Sequence, residues 1–175
     1  MKMTKRVLTL WACLFVSTTG MAAAECEPWV AKLVSQQGSV EWKANANSDW
    51  QKTAPDLVLC AGAQLRTQKN SRAALELRNQ TLLRIKAESI LTLTNISQQE
   101  ESWLALLKGV IHLLSRTPNK FKVNTPFVNA AVEGTEFLVE VDEGKKQAKV
   151  LVYEGNVLAE NVAGSLRLEP GQSAI

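Results

Sequence analysis

Short alternations of apolar and polar residues, broken by turn residues, run through most of this chain. Residues 72–78 set Ala73, Leu75 and Leu77 on one side against Arg72, Ala74, Glu76 and Arg78 on the other. Asn79-Gln80 reads as a two-residue turn, and 81–86 returns with Leu83 and Ile85 in phase. A repeat of two marks a half-buried strand, because successive side chains leave opposite faces of a sheet. The stretch therefore predicts a hairpin. After Gly38, residues 39–43 bring Val40 and Trp42 to one face, 44–49 reads as a polar loop, and 89–95 carries Leu91 and Leu93.

The C-terminal third is patterned more sharply. Phe121, Val123 and Thr125 alternate up to Pro126, and Phe137, Val139 and Val141 alternate before an Asp142-Glu143-Gly144 turn. Ala148, Val150 and Val152 answer them, and Leu166 and Leu168 precede Pro170-Gly171. Residues 98–107 (QQEESWLALL) fit a short helix with Trp103, Leu106 and Leu107 on one face, or a strand with Leu104 and Leu106 inward. We read them as a polar turn leading into a strand, although so short an apolar run does not decide by periodicity. Gly38, Gly109 and Gly155 each precede a β-branched residue or a strand that begins with one, a recurrent corner chemistry at unequal spacing rather than a repeat. The expectation is an all-β single domain of many short strands, a sandwich, roll or barrel.

The N-terminus follows another rule. Lys2, Lys5 and Arg6 precede an apolar run at 7–16 and the small residues Ala22-Ala23-Ala24. That order describes a cleavable signal peptide at 1–24, with an uncleaved anchor as the alternative. The run is short of the roughly 20 residues that span a bilayer. Glu25 before Cys26 argues against a lipid anchor, which wants a small residue there. An N-terminal arm at 25–33 and a β domain at 34–175 complete the expected organisation. Cleavage changes the charge. The chain has 20 basic and 17 acidic residues, and the signal holds three basic residues and no acid, leaving 17 of each. A neutral mature chain offers no footprint for nucleic acid, and no later segment is apolar enough to cross a membrane as a helix. Export to the periplasm also leaves two cysteines, Cys26 and Cys60. An even pair in an oxidising compartment invites a disulfide, with two separate thiols as the alternative that spacing leaves open.

Catalytic chemistry finds few parts. His112 is the sole histidine, and Ile111-His112-Leu113 points it away from the core. One imidazole cannot make the ligand cluster of a metal centre. No serine sits in a Gly-x-Ser-x-Gly elbow, and Glu133 and Glu136 read as solvated strand-end charges rather than an acid pair. We expect no catalytic residue, metal or cofactor. For binding, Trp42 is in phase with the core, and Trp50 beside the polar loop is the aromatic best placed for recognition. A partly buried hairpin lid is the plainer role for it, and an unpaired sheet edge that accepts a partner's strand is an equal candidate.

The strings GSVEW (38–42), CAGAQLRT (60–67), SRAALEL (71–77), LLRI (82–85), LLKGVIHL (106–113), FKVNTP (121–126), VEGTEF (132–137), VLVYEGNV (150–157) and LEPGQ (168–172) occur in this order. Together they resemble the FecR domain, from about residue 34 to 172. Its motif residues here, Gly38, Gly109, Pro126, Gly134, Thr135, Phe137, Gly155 and Gly171, suit shape rather than reaction. Gly134-Thr135 would make a tight bend that feeds Phe137 into the core. Pro126 would end a strand by removing an amide donor, and Gly155 would turn the chain after the Val150–Val152 strand. The resemblance implies envelope sensing. Its namesake regulator is similar to a periplasmic domain tied through a membrane helix to a cytoplasmic anti-sigma segment. A cleavable signal is expected where those parts would be, so the resemblance carries over the domain and its compartment and leaves the signalling circuit open. The chain stops just after LEPGQ, where a last strand is still expected, as in the front part of a longer protein. The expected function is a non-enzymatic periplasmic module that recognises an envelope protein or cell-wall polymer, and the alternative is a structural module of a larger envelope or surface protein.

Overall fold

The computed structural model describes residues 26, 29–97 and 101–175. The expected signal at 1–24, and residues 98–100 of the ambiguous stretch, lie outside the described residues. Among the described residues there are thirteen strands and no helix. They are β1 (Ala31–Gln37), β2 (Val40–Lys43), β3 (Gln51–Lys52), β4 (Val58–Leu59), β5 (Gln64–Thr67), β6 (Arg72–Leu77) and β7 (Leu82–Ile85). Then follow β8 (Ile90–Asn95), β9 (Ser102–Asn124), β10 (Asn129–Asp142), β11 (Gln147–Asn161), β12 (Gly164–Leu168) and β13 (Ser173–Ala174).

All pairings are antiparallel, and they form one sheet. The short strands are halves of longer ribbons that bend. β1–β2 lies beside β6–β5, which lies beside β7–β8, which lies beside β9, β10, β11 and finally β12–β13. β3 and β4 cover the outer edge of the first ribbon. Folding this sheet at its bends makes a roll that is close to a small barrel. β9 carries the roll. Its first part pairs with β8, its middle with β7 and β10 on either side, and its last part with β10 alone. The two ends of β9 then meet, with Trp103 and Lys122 4.7 Å apart and Lys122 bonded to Glu101 at 2.9 Å.

Alternation fills the interior. Leu75, Leu77, Leu83, Ile85, Leu91, Leu93, Ile111 and Val139 are buried, and Phe121 and Phe137 tilt against each other at 6.2 Å between rings. The ambiguous stretch is a strand from Ser102, with Leu104 and Leu106 buried and Trp103 and Leu107 facing out. β1 starts inside the stretch expected to be an arm, and Val30, Ala31 and Leu33 join the core. The hairpin turn is wider than two residues, because β6 ends at Leu77 and β7 begins at Leu82. Gln80 takes a positive φ of 65° within it.

The first bend is built twice from the same parts. The Ser39 N–H donates to Ser71 Oγ at 2.9 Å, and that hydroxyl donates to the Lys69 carbonyl at 3.0 Å. The Val110 N–H donates to Ser89 Oγ at 2.9 Å, and that hydroxyl donates to the Lys86 carbonyl at 2.9 Å. Each serine is buried against a glycine of the next ribbon. A Cβ on Gly38 would stand 2.4 Å from Ser71 Oγ, and one on Gly109 would stand 2.2 Å from Ser89 Oγ and 2.4 Å from Ser89 Cα. Both glycines also have positive φ, 75° and 90°.

The second bend corrects two expectations. Gly155 does not end its strand but lies within β11, and Gly134 makes no tight turn but sits at a register shift within β10. Glycine is needed there for close approach, since a Cβ on Gly155 would stand 2.2 Å from Gly134 Cα. The side chain of Thr135 lies outside the described residues. Pro126 lies in the turn between β9 and β10, closed by the Thr125 N–H to the Val128 carbonyl, and Gly171 turns β12 into β13 with φ 82°.

Cys26 and Cys60 are bonded, with Cα atoms 5.7 Å apart and a sequence separation of 34. The bond ties the chain ahead of β1 to the end of β4.

Gly109→Ala should cost roughly 3–5 kcal/mol, as overlap with backbone adds to left-handed strain. Gly62→Ala, where φ is 85° and no atom lies within 4 Å of the added carbon, should cost only about 1–2 kcal/mol. Urea midpoints of the two variants measure the difference. Cys26→Ser with Cys60→Ser should lower unfolding free energy by about 3–4 kcal/mol on the chain-entropy model for such a loop, read from the same titrations.

Candidate functional site

Trp50 stands directly before β3, half-buried rather than free. Strand pairing sets its neighbours. Glu41 of β2 lies opposite Arg66 of β5 on one side and opposite Lys52 of β3 on the other. The Arg66 guanidinium comes 4.3 Å from the Trp50 ring centre, and the Lys43 ammonium 5.1 Å. Cations at such distances are attracted to the electron-rich face of the indole. Arg66 Nε also donates to Glu41 Oε2 at 2.7 Å, and Gln68 Nε2 donates to the same oxygen at 2.8 Å. Lys43 is held from the loop side by the Ala46 carbonyl at 2.8 Å. The result is one indole with two cations fixed around it on the outer surface of the sheet.

The bond from Arg66, then the one from Gln68, hold the Glu41 carboxyl below its ordinary value. Donors that bind the charged form favour it. The linked stability is therefore present above the ordinary carboxylate range and is lost as pH falls through the depressed folded value.

His112 lies on the outer side of β9, between Ile111 and Leu113 of the core. Its Nε2 is 2.9 Å from Glu136 Oε1, and its ring is 5.5 Å from that of Tyr153. Glu136 is thus held in mid-strand by His112, which corrects its expected role as a solvated strand-end charge. Glu133 is solvated, with its carboxylate 3.1 Å from the equally exposed Lys120. The two acids have separate partners. No three His, Cys, Asp or Glu side chains gather as metal ligands among the described residues. Trp42 is partly buried against the core.

The residues around Trp50 were missed from sequence because Glu41 belongs to β2 while Arg66 lies in β5 and Gln68 directly after it, and only register joins them. An alternation with Glu41 and Lys43 outward was the available signal.

A family model described as FecR protein matches residues 63–158, more than half of the chain. Two crystal structures of a proposed anti-sigma factor from Parabacteroides distasonis ATCC 8503 have the same fold. They superpose with TM-scores of 0.57 and 0.56 at 16% identity, over 63% of this chain and 52% of that one. The chain thus spans about half the length of that protein. No curated protein matches it.

Arg66→Ala should raise the Glu41 titration midpoint toward its ordinary value near 4.5, followed by carbon-13 NMR of the carboxyl. It should also flatten the acid-side fall in melting temperature.

Proposed function

The chain belongs to the FecR family, and from that premise we propose that it is a sensing domain of the bacterial periplasm that binds without catalysing. Its ligand is an envelope protein or a cell-wall polymer, met at the surface around Trp50. Family membership carries this reading, since FecR proteins are regulatory. The proposed anti-sigma factor with the same fold supports it. The geometry around Trp50 is compatible with such a role, because a half-buried indole beside Lys43 and Arg66 can meet both apolar and anionic groups.

A binder of this kind changes affinity, not bonds, so its output is occupancy. The fixed cations lower the ordering cost of docking, because Arg66 is already held by Glu41. The alternative is a structural module of a larger envelope or surface protein, in which the same face only covers the core.

In-cell crosslinking of the full chain, followed by purification from the envelope, tests this. A specific partner or polymer is expected, with capture reduced roughly tenfold by Trp50→Ala and the melting temperature nearly unchanged. Capture of nothing specific, or loss of capture only together with loss of folding, overturns binding in favour of the structural role. Turnover in a hydrolase substrate screen overturns the non-enzymatic part.

A further inference from the structure

Trp50 shares its face of the sheet with a second tryptophan. Across β2, β5, β8 and the first part of β9, Lys43 is opposite Gln64, Gln64 opposite Thr92, and Thr92 opposite Ala105. Trp42, Leu65, Leu91 and Leu104, their neighbours along each strand, pack into the core, so this row faces out. Trp50 lies at one end of it, against Lys43 and Arg66. At the other end Trp103, two positions before Ala105 in β9, is 37% exposed and has Lys122 4.7 Å from its ring. Three strand spacings separate the ends of the row, roughly 15 Å.

Two properties of this face restrict what can bind. Its backbone is engaged, because β2, β5 and β8 each pair on both sides. A partner is therefore met by side chains and not as an added strand. Its charge is one-sided. In β2, β3, β5, β8 and β9 as far as Lys108, the basic residues are Lys43, Lys52, Arg66 and Lys108, and the single acid is Glu41. Glu41 is taken up by Arg66 and Gln68, and Glu101 at the far end by Lys122. Lys43, Lys52 and Lys108 have no acid within salt-bridge reach among the described residues. A protein interface is built around a contiguous apolar centre. Here Gln64 and Thr92 stand between the two indoles, and the exposed Leu107 lies beside Lys108, off that row.

We propose that this face binds a carboxylate-bearing glycan strand of the cell wall, laid across β5 and β8 from Trp50 to Trp103. A sugar ring presents C–H faces that pack on an indole and hydroxyls around its rim that need polar partners. Two separated indoles with an amide and a hydroxyl between them meet both needs. The carboxylates meet Lys43, Lys52 and Lys108, whose charge also steers an acidic polymer toward the face. This rests on the reading of the domain as a binder and narrows its ligand from two classes to one.

The probe is a peptide-free hexasaccharide of alternating N-acetylglucosamine and N-acetylmuramic acid, titrated calorimetrically into the full chain with its disulfide intact. Chitohexaose has the same ring backbone without carboxylates, and polyglutamate has carboxylates without rings. Saturable binding of the acidic glycan is expected, about tenfold tighter than chitohexaose, with salt closing that gap and polyglutamate failing to compete. Trp103→Ala should weaken both glycans about tenfold. Lys52→Gln with Lys108→Gln should weaken the acidic glycan alone. Melting temperatures are read alongside, and Lys52→Gln, at an exposed position without an ion pair, carries the test if Trp103→Ala unfolds. Equal binding of chitohexaose, full competition by polyglutamate, or undiminished binding to the folded variants overturns the site. No glycan binding, with a specific protein still captured by crosslinking from the envelope, overturns the glycan and leaves the proposed function standing. Neither glycan binding nor capture removes the function itself.

Discussion

The roll depends on backbone meeting side chain without a gap at the first bend, where Gly109 lies against Ser89 and Gly38 against Ser71. A ribbon that bends within a sheet loses some of its regular partners, and buried amides must find others. Here the serine hydroxyl takes the amide just after the glycine and passes a hydrogen bond to a carbonyl of its own turn. Each serine follows a residue with positive φ, Asn70 and Glu88. That left-handed step aims the hydroxyl inward, and the missing Cβ on the facing glycine leaves it room. The second bend uses glycine against glycine, Gly134 against Gly155, with no hydroxyl between.

Bending decides where function can sit. Because β9 turns on itself until Trp103 and Glu101 meet Lys122, the sheet wraps around one core. At its two ends lie β3 with β4, and β12 with β13. One end is covered by β3 and β4, whose short strands bring Trp50 beside Lys43 and Arg66. The other carries β12, where Leu168 is buried and Leu166 is more than half exposed. The disulfide anchors the segment ahead of β1 near the first of these ends, since Cys60 follows β4 directly.

The alternation of small apolar and polar residues made the strands legible, and Leu75, Leu83, Leu91, Phe137 and Val150 lie where that pattern puts them. The strands of the hairpin follow from the same period of two, whereas the apolar run holding Leu104 and Leu106 was too short for periodicity to decide, and its inward phase came from the fold. β1 escaped notice because Ala31, Leu33 and the polar SQQ that follows make a weak pattern, and its register shifts between Leu33 and Ser35. At the site, Trp50 was visible as an aromatic beside a polar loop, but its burial by two cations was not. Arg66 lies 16 positions beyond it in sequence, and only the β2–β5 pairing brings the two together. Glu136 was misjudged for the same reason, because His112 reaches it from the neighbouring ribbon.

What the sequence by itself determined is the strand class, the face each strand buries, the family resemblance and the glycines that corners would need. These follow from local rules, a period of two and the freedom of a residue without Cβ. Only the tertiary structure decided that the corners fall inside continuous ribbons and that Ser71 and Ser89 fill them. Those outcomes depend on contacts between residues far apart in the chain, where register and bend angle together select the partner.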